Sequence, residues 1–178
     1  SLPLRSRGWS SVKQVLPTVL KYLHYRTEVE ALAIVIDSDD SSVHQSSHDE
    51  PDGEDLKCRL CQVRRIIAKE MSGLRPVTNR SQLKTAIGLA VPAIEAWYLS
   101  GLDPHINEAT WTRKLKSEPI TYTRRTLKKK VYGTERPTIE IETVHATKAA
   151  IRLVNDLSLL EQLFPNGFGA FAHDVRNW

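Results

Sequence analysis

Residues Ala31 to Asp40, ALAIVIDSDD, form an unbroken apolar run that ends in aspartates at 37, 39 and 40. A short run of Ala, Leu, Ile and Val closed by polar residues has the pattern of a buried strand in a parallel sheet. In open α/β sheets, ligands bind at the carboxyl ends of the strands. Asp37 and Asp39 point to opposite sides if the strand continues, but converge on one hard cation if the chain turns. The competing reading is that Asp37 and Asp40 cap the turn after the strand, where Asp is common.

Working outward, Leu83 to Val91 contains a second apolar run, TAIGLAV, read as another buried strand. Pro92 stops it and suits the first turn of the next helix, AIEAWYLSG. Glu95 falls in that first turn, where the helix dipole favours a carboxylate. If the two strands are parallel neighbours, Glu95 shares a sheet edge with Asp37, Asp39 and Asp40. Oxygen ligands of this kind suit Mg²⁺ or Mn²⁺, which can activate water against a phosphodiester.

The chain has 178 residues, 40% of them hydrophobic and 26% charged, as in an ordinary globular protein. We expect one domain over 1–178. The apolar runs are too short for a bilayer and the N-terminus lacks a signal-peptide core, so a cytoplasmic location is expected. A net charge of +4 and a pI of about 9.1 mildly favour a polyanionic partner.

Ser1 to Gly8 is a basic lead carrying Arg5 and Arg7. Ser10 or Ser11 can cap a helix with Val12, Val15, Leu16, Val19, Leu20 and Leu23 on one face, although Pro17 can kink it or delay its start. A polar, acidic loop over 41–61 overlaps a second helix, expected from Asp55 to about Met71, with Leu56, Leu60, Val63, Ile67 and Met71 facing the core. Gly73 and Pro76 end it. A basic, irregular insertion spans 105–143, in which Gly133 stops a helix and Thr138 to Thr143 alternates like an edge strand. The end is helical: Ala149, Leu153 and Leu157 share a face, Leu160, Leu163 and Phe164 follow, and Phe168, Phe171, Val175 and Trp178 recur at helical spacing beyond Pro165 and Gly167.

His44, His48, Cys58 and Cys61 have the ligand types and spacings of a structural zinc site. At about 100° per residue, Cys58 and Cys61 fall roughly opposite the Leu56–Leu60–Val63–Ile67 face, which favours ligands over core filling. Zinc would then staple the acidic loop beside the aspartates. The alternative is two solvent-side cysteines and two loop histidines without metal.

Between Trp111 and Tyr132 basic and aromatic residues interleave. Arg113, Lys114, Arg124, Arg125 and Lys128 are candidates for neutralising nucleic-acid phosphates, and aromatics can stack on bases. The alternative is a solvated face with Trp111 and Tyr132 as packing residues. Trp97 and Tyr98 are read as core. GLAVP and GTERP lack the spacing of a phosphate loop, and no nucleophile elbow surrounds Ser38 or Ser41.

RGWSSVKQVLP, IVIDSDD, VPAIEAWYL and the terminal ATKAAIRLVNDL…LFPNGFGAF together resemble a Toprim-type domain, the metal-binding α/β module of topoisomerases, primases and overcoming-lysogenization-defect nucleases. The resemblance is greater to a bacterial Toprim-like family of unknown function, and covers most of the chain. It implies that Asp37 and Asp39 are the Asp-x-Asp pair, a possible role in anti-phage defence, and an ATPase subunit as partner. The Toprim glutamate after the first strand has no counterpart, since no acidic residue precedes Glu28. Either an N-terminal strand is lacking, or Glu95 replaces that ligand, or the site is inert.

The expected fold is therefore α/β: a small, mainly parallel sheet flanked by helices, Toprim-like, with a helical C-terminal part. The leading function is a divalent-metal-dependent nuclease or other phosphodiester-cleaving enzyme, with Asp37, Asp39 and Glu95 as catalytic residues. The alternative is a non-catalytic, zinc-stabilised module that binds nucleic acid or a partner protein such as an ATPase.

Overall fold

A computed structural model describes residues 8–178; the basic lead around Arg5 and Arg7 lies outside the described residues. The protein is α/β, and among the described residues its sheet has two parallel strands. In chain order come α1 (Trp9–Arg26), β1 (Ala31–Asp37), a 3-10 turn (Ser46–Asp49), α2 (Arg59–Ser72), β2 (Lys84–Ala90), α3 (Ile94–Tyr98), α4 (Glu108–Leu115), α5 (Arg124–Tyr132), α6 (Ile139–Leu153), α7 (Leu157–Leu163) and α8 (Phe168–Arg176). Among the described residues, no helix is long and apolar enough to cross a membrane.

Both expected strands form, in a register that pairs Ala31 with Lys84 and Asp37 with Ala90. Their carboxyl ends therefore lie side by side. The pairing continues past the strands, where Ser38 N–H donates to Ala90 O at 2.8 Å and Asp39 N–H to Pro92 O at 2.9 Å. These two bonds turn the chain, and Asp39 takes a left-handed φ of 52°, a conformation Asp tolerates better than most residues.

α1 and α2 pack against each other beside the sheet, while α8 covers β2. α1 runs through Pro17 and begins at Trp9, so Ser10 and Ser11 lie inside the helix and Gly8 is at its N-cap. Its buried face is Ser11, Leu16, Leu20 and His24, close to the apolar stripe read from the sequence. The outer edge of β2 is closed by the C-terminal segment. Leu89 N–H donates to Gly167 O at 3.4 Å, and Ile87 N–H to Asp174 Oδ2 at 3.1 Å. A Cβ on Gly167 would lie 2.1 Å from Leu89 O, so the backbones can meet only because this residue is glycine. A second close approach occurs at Gly88, where a Cβ would stand 2.8 Å from Trp97 and 3.3 Å from Phe171. Trp97 also meets Phe168 edge-to-face, with ring centroids 5.2 Å apart.

Three local expectations are corrected. The 105–143 segment is largely helical, with Asn107 and Thr123 capping α4 and α5 through their side chains. Gly133 does end α5, at a φ of 72°. Thr138 to Thr143 is no edge strand: Thr138 caps α6 by accepting from Ile141 N–H, and Ile139 is 77% exposed. Ile141 is exposed as well, so the alternation there marks no buried face, and a strand would need a partner to hold it. α2 starts at Arg59 and not at Asp55, because Asp55 accepts from Lys57 N–H at 2.7 Å in a local turn that competes with helix.

Candidate metal centres at the sheet edge

The late start of α2 overturns the helical count applied to the cysteines. Leu56 is 62% exposed and is not part of the core face, while Cys58 and Cys61 are both buried. Cys58 is the N-cap of α2 and Cys61 lies in its first turn. Their burial is shared with His44, at 2% exposure, and with the half-buried His48. The ligand atoms of all four residues lie within 4.8 Å of one another, and the group can hold a metal ion.

The distances within that group are informative. His44 Nδ1 is 3.7 Å from Cys58 Sγ and 3.6 Å from Cys61 Sγ, and His48 Nδ1 is 3.7 Å from Cys61 Sγ. A tetrahedron with metal–sulfur bonds of about 2.3 Å and metal–nitrogen bonds of about 2.05 Å has S···N edges of about 3.6 Å. Beyond the ligands, His44 Nε2 contacts Asp49 Oδ2 at 3.2 Å, and Arg64 pairs with Asp49. Arg64 Nη1 also lies 3.3 Å from that Nε2; with the Nε2 proton given to Asp49, Nδ1 is free to ligate. Burial holds the His44 imidazole below its ordinary pKa, and so neutral. Burial likewise pushes the Cys58 thiol upward, so a cation at the centre is what would stabilise its thiolate.

The acidic strand end lies on the other side of Arg59. Asp37 Oδ1 accepts from Ile94 N–H at 2.9 Å, which ties the end of β1 to the start of α3. Burial, and then the neighbouring Glu95 charge, raise Asp37 to a pKa of about 6. Glu95 is 3% exposed, and its Oε2 has no hydrogen-bond partner among the described residues. Its Oε1 lies 4.0 Å from Lys128 Nζ. Asp39 is gripped by Arg59 at 2.6 Å and by Arg124. Asp40 turns outward to Lys114 at 2.8 Å, a bond that holds its carboxyl below the usual range.

Of the four candidate oxygen ligands, Asp37 and Glu95 thus face each other, Asp39 sits beside them in cation pairs, and Asp40 leans away. Among the described residues, only the His and Cys side chains form a group of three or more ligand atoms gathered within 4.8 Å. The orphaned, buried Oε2 of Glu95 and the half-buried Asp37 are oxygen donors of the type that hard cations take.

The basic residues divide as well. Lys114, Arg124 and Lys128 face the acidic end, whereas Arg113 reaches Thr110 Oγ1 at 3.3 Å and Arg125 pairs with Glu135 at 2.6 Å. Asp37, Asp39, Arg124, Arg125 and Lys128 line a pocket of about 300 Å³. Trp111 and Tyr132 are buried packing residues, as the alternative reading had it, and Trp97 is core. Tyr98 is half-buried: it packs against the core and also lines a separate cleft with Trp9. Arg59 joins the site through contacts that sequence spacing does not show. Its guanidinium reaches Asp37 O at 2.7 Å and stacks 5.1 Å over Trp9, links that arise only when β1, α1 and α2 meet.

No family model, curated protein or solved structure matches the chain.

Proposed function

We propose that the chain is a divalent-metal-dependent phosphodiester-cleaving protein of Toprim type that acts on nucleic acid, with a structural zinc at His44, His48, Cys58 and Cys61. The observation that carries the catalytic part is the pairing of a half-buried Asp37 with the buried Glu95, one of whose carboxylate oxygens has no hydrogen-bond partner among the described residues. Burial and the neighbouring Glu95 raise the cost of ionising Asp37, an arrangement typical of functional sites.

In this reading Asp37, Glu95 and Asp39 hold Mg²⁺ or Mn²⁺. When bound, such an ion polarises a phosphoryl oxygen and lowers the pKa of a water. The rest follows from the chain's own groups. Asp37 must lose its proton to ligate, so binding strengthens as pH rises through about 6. Arg124 and Lys128 line the same pocket as Asp37 and Asp39 and offer charge to a phosphate. Arg59 keeps the end of β1 in place through the Asp37 carbonyl.

A specific observation also supports the non-catalytic alternative. Asp39 is neutralised by two arginines, which would suit a degenerate site on a zinc-stabilised binding module. Calorimetric titration of Mn²⁺ into zinc-loaded wild type and Asp37→Ala separates the two readings, followed by cleavage assays on DNA and RNA. The proposal expects Mn²⁺ binding and Mn²⁺-dependent cleavage in wild type, with both lost in the variant. A wild type that binds no Mn²⁺, or a folded Asp37→Ala that still cleaves, overturns it.

A further inference from the structure

A second cleft, of about 650 Å³, opens on the same two aspartates from the side of α1. Its volume is within the roughly 300–1,000 Å³ typical of ligand clefts. Trp9, Val12, Val35, Ile94 and Tyr98 form its walls, and Arg59 stands where it meets Asp37 and Asp39. Val35 is 43% exposed, so an apolar wall faces the opening.

The aromatic wall is fixed in advance. Trp9 Nε1 donates to Gln62 Oε1 at 3.0 Å, and the Arg59 guanidinium lies 5.1 Å over its ring. The indole therefore meets a ligand with little rotamer entropy left to lose. The cleft thus combines flat apolar walls with a cationic end, beside carboxylates assigned to a phosphodiester.

We infer that this cleft receives an unstacked base of a single-stranded nucleic acid whose phosphate lies at the Asp37–Asp39 end. The inference rests on the phosphodiester reading for the phosphate's position. A base has two flat, apolar faces and is attached to phosphate through a short sugar link, which matches an aromatic cleft leading to a charged end. In a duplex both faces are already covered by neighbouring base pairs, so the cleft selects single strands. Arg59 would serve both groups, extending the Trp9 stack and approaching the phosphate.

The test is fluorescence anisotropy on zinc-loaded protein with no added divalent metal or chelator. The probes are a labelled thymidine 12-mer, an abasic strand of the same length, and a 12-bp duplex. Wild type should bind the thymidine strand at least about 10-fold more tightly than the abasic strand, a typical effect of stacking one base. Trp9→Ala should erase that difference without changing zinc content or Mn²⁺ titration, and Trp9→Phe should restore most of it. Val35→Glu, at an exposed wall position, should erase it too. Equal binding of thymidine and abasic strands by wild type overturns the inference, as do tighter duplex binding or full retention in both Trp9→Ala and Val35→Glu. A base preference without Mn²⁺ binding would overturn the hydrolase reading and keep the cleft; Mn²⁺ binding without a base preference would do the reverse.

Discussion

The Arg59 guanidinium stands 2.6 Å from the Asp39 carboxylate, one residue after Cys58, so a single backbone step separates the cysteine–histidine group from the acidic strand end. The arginine is 17% exposed and Asp39 34%, partly shielded from solvent.

That pairing should be measurable as a coupling energy. Arg59→Ala removes the Asp39 pair, the bond to Asp37 O and the Trp9 stack. Allowing for solvent screening, we expect a loss of about 1–2 kcal/mol in urea denaturation. In a double-mutant cycle with Asp39→Asn, the two losses should fall short of additivity by about 0.5–1 kcal/mol. Strict additivity would show that the pair is not formed in solution.

Metal removal should act on the cysteine–histidine site. Zinc is expected at one per chain by elemental analysis, and a zinc-selective chelator should lower the melting temperature by well over 10 °C, since structural zinc supplies much of the folding energy of such sites. Cys61→Ser should bind no zinc. A wild type purified without zinc, and indifferent to added zinc, would refute the assignment.

Asp37 carries a pH signature. Its pKa rises from 3.8 unfolded to about 6 folded, so between those values the native state binds the extra proton. Stability from this group is therefore full below about pH 3.8 and lost as pH rises through 6. Asp37→Asn keeps an acceptor for Ile94 N–H and removes the titration. Its stability advantage over wild type, measured without Mg²⁺ or Mn²⁺, should grow by about 1 kcal/mol between pH 5 and 7.5. An advantage independent of pH would show that Asp37 is not held protonated at pH 5.

Glu108 gives an independent case outside either set of candidate ligands. Its Oε2 accepts from Asn166 N–H at 3.1 Å and Gly167 N–H at 3.3 Å, holding the loop that closes the edge of β2. Burial raises its pKa from 4.5 to about 7. The sign is the same, with stability from this group lost as pH climbs through 7. Glu108→Gln should reduce the pH dependence of unfolding between pH 5 and 7.5 by about 2 kcal/mol. An unchanged slope would place the titration elsewhere.

The two strands and their parallel pairing were readable because strands of parallel sheets are nearly all apolar, and Pro92 marks where the second one stops; β2 is buried as expected, whereas β1 is only partly so, with Ala33 and Val35 exposed. His44, His48, Cys58 and Cys61 were readable from residue type and spacing, although the argument from helix face failed. That argument took Leu56 as helical, and the Asp55 turn delays the helix to Arg59. Arg59, the Trp9–Tyr98 cleft and Glu108 were not readable. Each depends on contacts between segments far apart in sequence, such as Trp9 with Gln62 and Glu108 with Asn166. No local periodicity encodes them.

The missing side chain at Gly88 has a consequence for Glu95. Trp97 leans into the space over that residue, with Phe171 of α8 on the same spot, and Trp97 and Glu95 share the five-residue α3. The depth to which the indole sinks against β2 thus sets the height of the carboxylate above Asp37. Glycine acts here as a spacer of zero thickness. A methyl group in its place would act as a shim, lifting α3 and pulling apart two carboxylates that it does not touch.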